Sequence, residues 1–216
     1  MENGTKDFNN LRIVPWLLMI LVLAISFLAW GLNIGWNSQA ITVLTVFPLL
    51  GLLAWSIMWT HYILGAVGVA GYNLPENKYY NKYSAYAVLA LILLHPGLLI
   101  WQQWRVNSLL PPGSIYGYVE NSLKLFIFMG SLSLLIFLSF EVLNRMKNHQ
   151  RVRKYWIVVS VSQMLAMTLI FVHAIALGGV LNQEWFLFYW VCLGALLIPA
   201  FILVGRSDLE YSRKSD

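Results

Sequence analysis

Six long apolar stretches dominate this sequence and limit what the chain can fold into. They lie at residues 13–32, 41–67, 83–104, 121–143, 155–177 and 185–204. A helix rises about 1.5 Å per residue, so about 20 residues cross a hydrocarbon core of about 30 Å. The chain is 59% hydrophobic and only 11% charged, which a soluble domain of this size cannot cover with polar surface. The sequence therefore predicts an all-α integral membrane bundle of six transmembrane helices.

We expect one domain that covers residues 1–216. The stretches are joined by short segments, without a linker rich in proline, glycine and serine. There is no GxGxxG or phosphate-binding loop, so we expect no flavin or nicotinamide site within this chain. The lone Cys192 excludes an intramolecular disulfide and a cysteine-held metal cluster.

The distribution of lysine and arginine predicts the orientation of the helices. With a cytoplasmic amino terminus, the outer side carries only Arg105 and Lys124. The other twelve fall on the inner side: Lys6, Arg12, Lys78, Lys82, Arg145, Lys147, Arg151, Arg153, Lys154, Arg206, Arg213 and Lys214. This is a strong positive-inside bias, which predicts a multi-pass protein of the cell inner (plasma) membrane with both termini cytoplasmic. The net charge of +5 fits membrane lipid as the partner and gives no indication of nucleic-acid binding.

Two of the four histidines fall inside apolar stretches in a way that indicates chemistry. His95 lies about 18 Å along the third stretch and His173 about 27 Å along the fifth, both in the outer half of the bilayer. Imidazoles on two facing helices are a common way to hold a haem iron from both sides. The alternative is two separate structural histidines, each hydrogen-bonded to a carbonyl or a serine. His149 lies in a basic inner loop, where solvation is the simpler interpretation.

Two segments resemble the ferric reductase-like transmembrane family. The run from Ala87 to Pro96, which contains His95, resembles the third helix of that family. The segment Arg153-Lys154-Tyr155-Trp156, with His173 seventeen residues after the tryptophan, resembles its fifth helix. The family includes the haem subunit of the bacterial methionine sulfoxide reductase system and the membrane part of NADPH oxidases. The resemblance implies a six-helix domain that binds b-type haem and transfers electrons.

The sequence also differs from the usual pattern of this family. The family usually has two histidines on each of these helices and stacks two haems. Counting back by the family's spacing, the inner partners of His95 and His173 fall at Asn81 and Ser160, which are poor iron ligands. Their joint absence implies a single outer haem. A second haem remains an alternative, because His61, near the inner end of the second stretch, is a candidate iron ligand. His61 is also a candidate quinone contact or an interfacial structural residue.

A few residues close to the outer site extend the hypothesis. Arg105, ten residues beyond His95, is a candidate partner for a haem propionate, with a snorkelling arginine as the alternative. Gly97, Gly178 and Gly179 are candidates for admitting the porphyrin edge.

The functional hypothesis is a membrane oxidoreductase that moves electrons across or within the bilayer. By resemblance, the donor is a quinol or a separate flavoprotein, and the acceptor is ferric iron, oxygen or an extracytoplasmic redox protein. The competing hypothesis is a non-enzymatic transporter subunit or assembly factor with structural histidines, which explains the composition equally well. A retinal protein is excluded because no lysine lies in the middle of any stretch.

Overall fold

The computed structural model describes residues 12–72 and 78–213. Lys6 and Lys214, which contribute to the predicted orientation, lie outside the described residues. Within these ranges the chain forms eight α-helices and no strand. They are α1 (Val14–Asn33), α2 (Val43–Val69), α3 (Lys78–Asn107), α4 (Gly113–Tyr116), α5 (Lys124–Arg145), α6 (Gln150–Lys154), α7 (Trp156–Leu177) and α8 (Glu184–Arg213).

Six of these helices are long and apolar enough to cross a membrane, which confirms the predicted six-helix bundle. They are α1, α2, α3, α5, α7 and α8, with 20 to 30 residues each. The predicted ends of α3 and α8 were wrong, because both helices continue well beyond their apolar stretches. Hydropathy marks the part of a helix that lies in hydrocarbon, whereas backbone hydrogen bonding carries the helix on into polar sequence. The segment 105–120 therefore begins inside α3 and contains the short helix α4.

The second span is the centre of the bundle. Helix α2 packs against α1, α3 and α8 and also touches α7, and it is the most deeply buried of the six spans. On the other side, α5 packs against α7, and α7 against α8. Helix α3 has α2 and α4 as its principal neighbours, so α3 and the α5–α7 pair belong to different halves of the bundle. The short helix α4 contacts both α3 and α5 and so bridges the halves at one end.

Hydrogen bonds between helices hold this arrangement where lipid gives no hydrophobic drive for association. Ser26 and Ser56 join α1 to α2 through their hydroxyls at 2.9 Å, and the Trp59 indole donates to the Leu193 carbonyl of α8 at 2.8 Å. The Ser133 hydroxyl of α5 contacts the Ala166 carbonyl of α7 at 3.1 Å. At the other end of α7, the Trp156 indole donates to Asp208 at 3.0 Å, which explains why α8 extends past its apolar part. Within α5, Arg145 forms an ion pair with Glu141 at 3.1 Å.

Candidate functional site

His95 and His173 both lie in the second half of their helices. His95 lies seventeen residues beyond Lys78, the first described residue of α3, and His173 lies seventeen residues beyond Trp156, the first of α7. Both are therefore about 26 Å along the helix from these residues. From the other end the counts differ, because His95 lies twelve residues before Asn107 and His173 four before Leu177. Because α3 and α7 are the third and fifth spans, they run in the same direction through the bundle.

The ring of His95 lies against α2. Its Nδ1 is 2.5 Å from the carbonyl oxygen of Phe47, and a carbonyl only accepts, so Nδ1 carries the proton and donates. The ring also lies next to Gly51, where an added Cβ would be 3.0 Å from its Cε1 and 3.1 Å from its Nδ1. The Phe47 ring packs on the imidazole with the ring centroids 5.3 Å apart.

The ring of His173 has the same relation to α5. Its Nδ1 donates to the carbonyl oxygen of Phe126 at 2.7 Å. It lies next to Gly130, where an added Cβ would be 2.6 Å from its Nδ1 and 2.7 Å from its Cε1. In both helix pairs, then, a histidine donates Nδ1–H to the carbonyl of a phenylalanine four residues before a glycine.

This shared geometry leaves the other ring nitrogen of each histidine available. With Nδ1 protonated, Nε2 is an unprotonated acceptor, and among the described residues it has no hydrogen-bond partner on either ring. Both side chains are partly exposed.

These residues fit the iron of a b-type haem. Histidine ligands of metals usually donate their second ring N–H to a carbonyl or carboxylate, which fixes the tautomer and the ring plane. Both His95 and His173 meet that requirement, and they lie on helices from opposite halves of the bundle. Within the described ranges, no group of three or more histidine, cysteine or acidic residues could hold a metal ion. A haem held between two imidazoles needs no such group.

The segment 105–120 contributes an aromatic and a charged residue near the site. Tyr118 packs edge-on against Phe47 with the ring centroids 5.6 Å apart, and Phe47 in turn contacts His95. Partial burial raises the pKa of the Tyr118 hydroxyl, so it stays protonated at neutral pH. Arg105 is exposed in the last turn of α3 and stacks over Trp101 at 5.0 Å. That stack holds the guanidinium at the helix end without engaging the two histidines.

His61 lies apart from this pair. It lies on α2 and faces α3, with its Nε2 2.7 Å from the hydroxyl of Ser84, eleven residues before His95. Ser84 in turn donates to the Tyr80 carbonyl, so it accepts from His61 and the Nε2 of His61 carries a proton. The Tyr80 ring packs edge-on against the imidazole at 5.4 Å. In this arrangement the Nε2 of His61 is engaged, whereas its Nδ1 has no hydrogen-bond partner among the described residues.

The two positions of the family's inner haem differ in their surroundings. Asn81 is exposed on α3, whereas Ser160 on α7 is only 3% exposed. Protein atoms therefore enclose Ser160, and no open space for a porphyrin adjoins it. The partly exposed rings of His95 and His173 contrast with this.

The glycines that contact the two histidines are not the predicted Gly97, Gly178 and Gly179. A Cβ at Gly97 or Gly179 would meet nothing within 4 Å, and one at Gly178 would meet its own helix. The residues in contact are Gly51 and Gly130. A signal existed, because Phe-Pro-Leu-Leu-Gly at 47–51 and Phe-Ile-Phe-Met-Gly at 126–130 share one spacing.

Comparisons with protein-family models, with curated proteins and with solved structures find no match for this chain. The function must therefore be argued from the site itself.

Proposed function

We propose that this multi-pass membrane protein holds one b-type haem between His95 and His173 and passes electrons through it. One observation carries the proposal: two imidazoles, on the third and fifth spans, each donate Nδ1–H to a backbone carbonyl and keep an unprotonated Nε2 without a partner among the described residues. Such a bound haem supplies one-electron redox chemistry. The resemblance to the ferric reductase-like transmembrane family, carried by the segments around His95 and His173, agrees with this function.

The protein's own residues have separate tasks in this proposal. His95 and His173 would hold the iron, and the carbonyls of Phe47 and Phe126 orient them and would strengthen their donor character. Tyr118 packs on Phe47, which in turn contacts the His95 ring. Arg105, stacked on Trp101, would pair with a propionate.

The distance to the inner surface limits the choice of donor. Each histidine lies about 26 Å along its helix from the inner end, which is too far for rapid direct transfer from a cytoplasmic flavoprotein. A quinol that diffuses in the membrane reaches the site laterally, so we favour a quinol as donor, with a flavoprotein as the alternative. The acceptor class stays ferric iron, oxygen or an extracytoplasmic redox protein.

The competing hypothesis, structural histidines in a non-enzymatic transporter subunit or assembly factor, describes His61 well. Both its ring environment and its Nε2 hydrogen bond are provided by the protein. The hypothesis does not explain why His95 and His173 share one hydrogen-bonding arrangement, with Nε2 unpartnered among the described residues. For that reason we rank it second.

Reduction with dithionite tests the proposal directly. The protein, purified in detergent from cells supplied with excess haem, should show a Soret band and a sharp reduced α-band of low-spin haem. Pyridine haemochrome analysis should give about one haem per chain, because one pair of axial ligands is present. A colourless preparation would rule out the electron-transfer function, and two haems per chain would rule out the single outer site.

Placement in the inner (plasma) membrane with both termini cytoplasmic is part of the same proposal and rests on the positive-inside bias. It predicts the result of thiol labelling in intact cells. With the lone Cys192 replaced by alanine, a Leu110→Cys variant should react with a membrane-impermeant maleimide, and a Gln150→Cys variant should react only after lysis. Both positions are exposed. The opposite pattern would invert the orientation and place the two histidines near the cytoplasmic face.

A further inference from the structure

A feature shared by the two helix pairs concerns the glycines that contact the histidines. In an α-helix the carbonyl of residue i lies beneath the side chain of residue i+4, because each Cα–Cβ bond leans toward the amino end. A side chain at i+4 therefore obstructs any outside donor that approaches that carbonyl. Glycine at i+4 removes the obstruction. Gly51 and Gly130 hold this position relative to Phe47 and Phe126.

We infer that Gly51 and Gly130 are positioning residues for the two candidate ligands. Each admits an imidazole to the carbonyl four residues earlier, which sets both the tautomer and the plane of the ring. This inference rests on the proposed function for its redox consequences, but the steric part stands on the contacts alone. The contact at Gly130 is the tighter one. A Cβ added at Gly130 would be 2.6 Å from the His173 ring, whereas a Cβ added at Gly51 would be 3.0 Å from the His95 ring.

Close contact with a ring is not general among the helical glycines, although Gly31 and Gly194 also meet one, those of Trp36 and Phe171. A Cβ at Gly65 or Gly68 on α2, or at Gly97 on α3, would meet nothing within 4 Å. Glycine in a helix costs about 1 kcal/mol relative to alanine, so alanine is the better residue for the helix itself at all these positions. The need for glycine at 51 and 130 therefore comes from the imidazole.

The two glycines should consequently control the electronic state of the iron. When the ring is displaced from the carbonyl, Nδ1–H loses its acceptor and the imidazole becomes a weaker donor to Fe(III). The midpoint potential should then rise, and the changed ring plane should shift the largest g value of the low-spin EPR signal. Loss of a hydrogen bond of this kind weakens metal binding about 10- to 100-fold.

The test compares Gly51→Ala and Gly130→Ala with Gly65→Ala and Gly68→Ala in the full-length, haem-loaded protein. We expect both potential and g value to shift in the first two variants, more strongly in Gly130→Ala, and to remain at the wild-type values in the controls. If Gly51→Ala and Gly130→Ala match the controls while the wild type binds haem, the inference is wrong and the proposed function stands.

A second measurement does not depend on haem. Gly130→Ala should lower the melting temperature of the haem-free protein, or prevent its accumulation, because the added methyl group collides with the His173 ring. Removal of that ring relieves the collision, so the double variant Gly130→Ala/His173→Ala should melt and accumulate like His173→Ala alone. A double variant that is as impaired as Gly130→Ala would overturn the inference even in a protein that binds no haem.

Discussion

Replacement of either His95 or His173 by alanine should abolish the low-spin haem spectrum. In the proposed site each would supply one of the two iron ligands, and His61 lies against Ser84, eleven residues before His95 on α3. We expect the haem content to fall from about one per chain to nearly none, since a b-type haem is held by its axial ligands and by packing alone. The measurement is pyridine haemochrome stoichiometry, together with the reduced spectrum, on protein purified at matched levels.

Two variants serve as controls for this prediction. His149 is exposed at the start of α6, so His149→Ala should keep the spectrum unchanged. His61→Ala should also keep it, because that imidazole is bonded to Ser84, eleven residues before His95 on α3. If His61→Ala removes the haem, His61 is a ligand and the site has been placed at the wrong end of the α2–α3 pair. If all four variants retain the same spectrum, any bound haem is held elsewhere.

The six-helix architecture could be predicted from the sequence because lipid leaves so few alternatives. Backbone groups in hydrocarbon must be satisfied within the segment, so a long apolar stretch has to be a helix. The ends of α3 and α8 could not be read in the same way. Beyond Val204, α8 continues because Trp156 donates to Asp208 and the Ser212 hydroxyl donates to the Lys154 carbonyl. Those contacts are between residues more than fifty positions apart and leave no local trace in the sequence.

The candidate site, like the fold, could be predicted only in part from the sequence. His95 and His173 stand out in sequence because an ionisable group in an apolar stretch is costly and rare. Helix rise alone predicts that both lie in the same half of the bilayer. What could not be deduced is which neighbour each ring would contact, because the rotation of one helix against another depends on side-chain packing along its whole length. The contacts of Gly51 and Gly130 with the histidine rings depend on that rotation.

Substitution of Trp190 by alanine should be among the most destabilising single changes outside the site. Trp190 is fully buried on α8, with its ring centroid 4.1 Å from that of Trp55 on α2 and 6.4 Å from that of Phe171 on α7. Loss of a buried tryptophan side chain typically costs about 3–5 kcal/mol. The three rings join the helix that contains Gly51 to the helix that contains His173, and Phe171 is only two residues from that ligand. We therefore expect Trp190→Ala to weaken haem retention as well as to lower the melting temperature.

Two further variants show whether packing is the cause. Phe188 on the same helix is 73% exposed to lipid, so Phe188→Ala should leave both melting temperature and haem content close to wild type. Trp190→Phe keeps most of the ring and removes an indole N–H that has no hydrogen-bond partner among the described residues, so it should cost clearly less than alanine. If Trp190→Phe is as harmful as Trp190→Ala, the indole nitrogen has a bound partner in the folded protein, and the cluster does more than pack the helices around the two histidines.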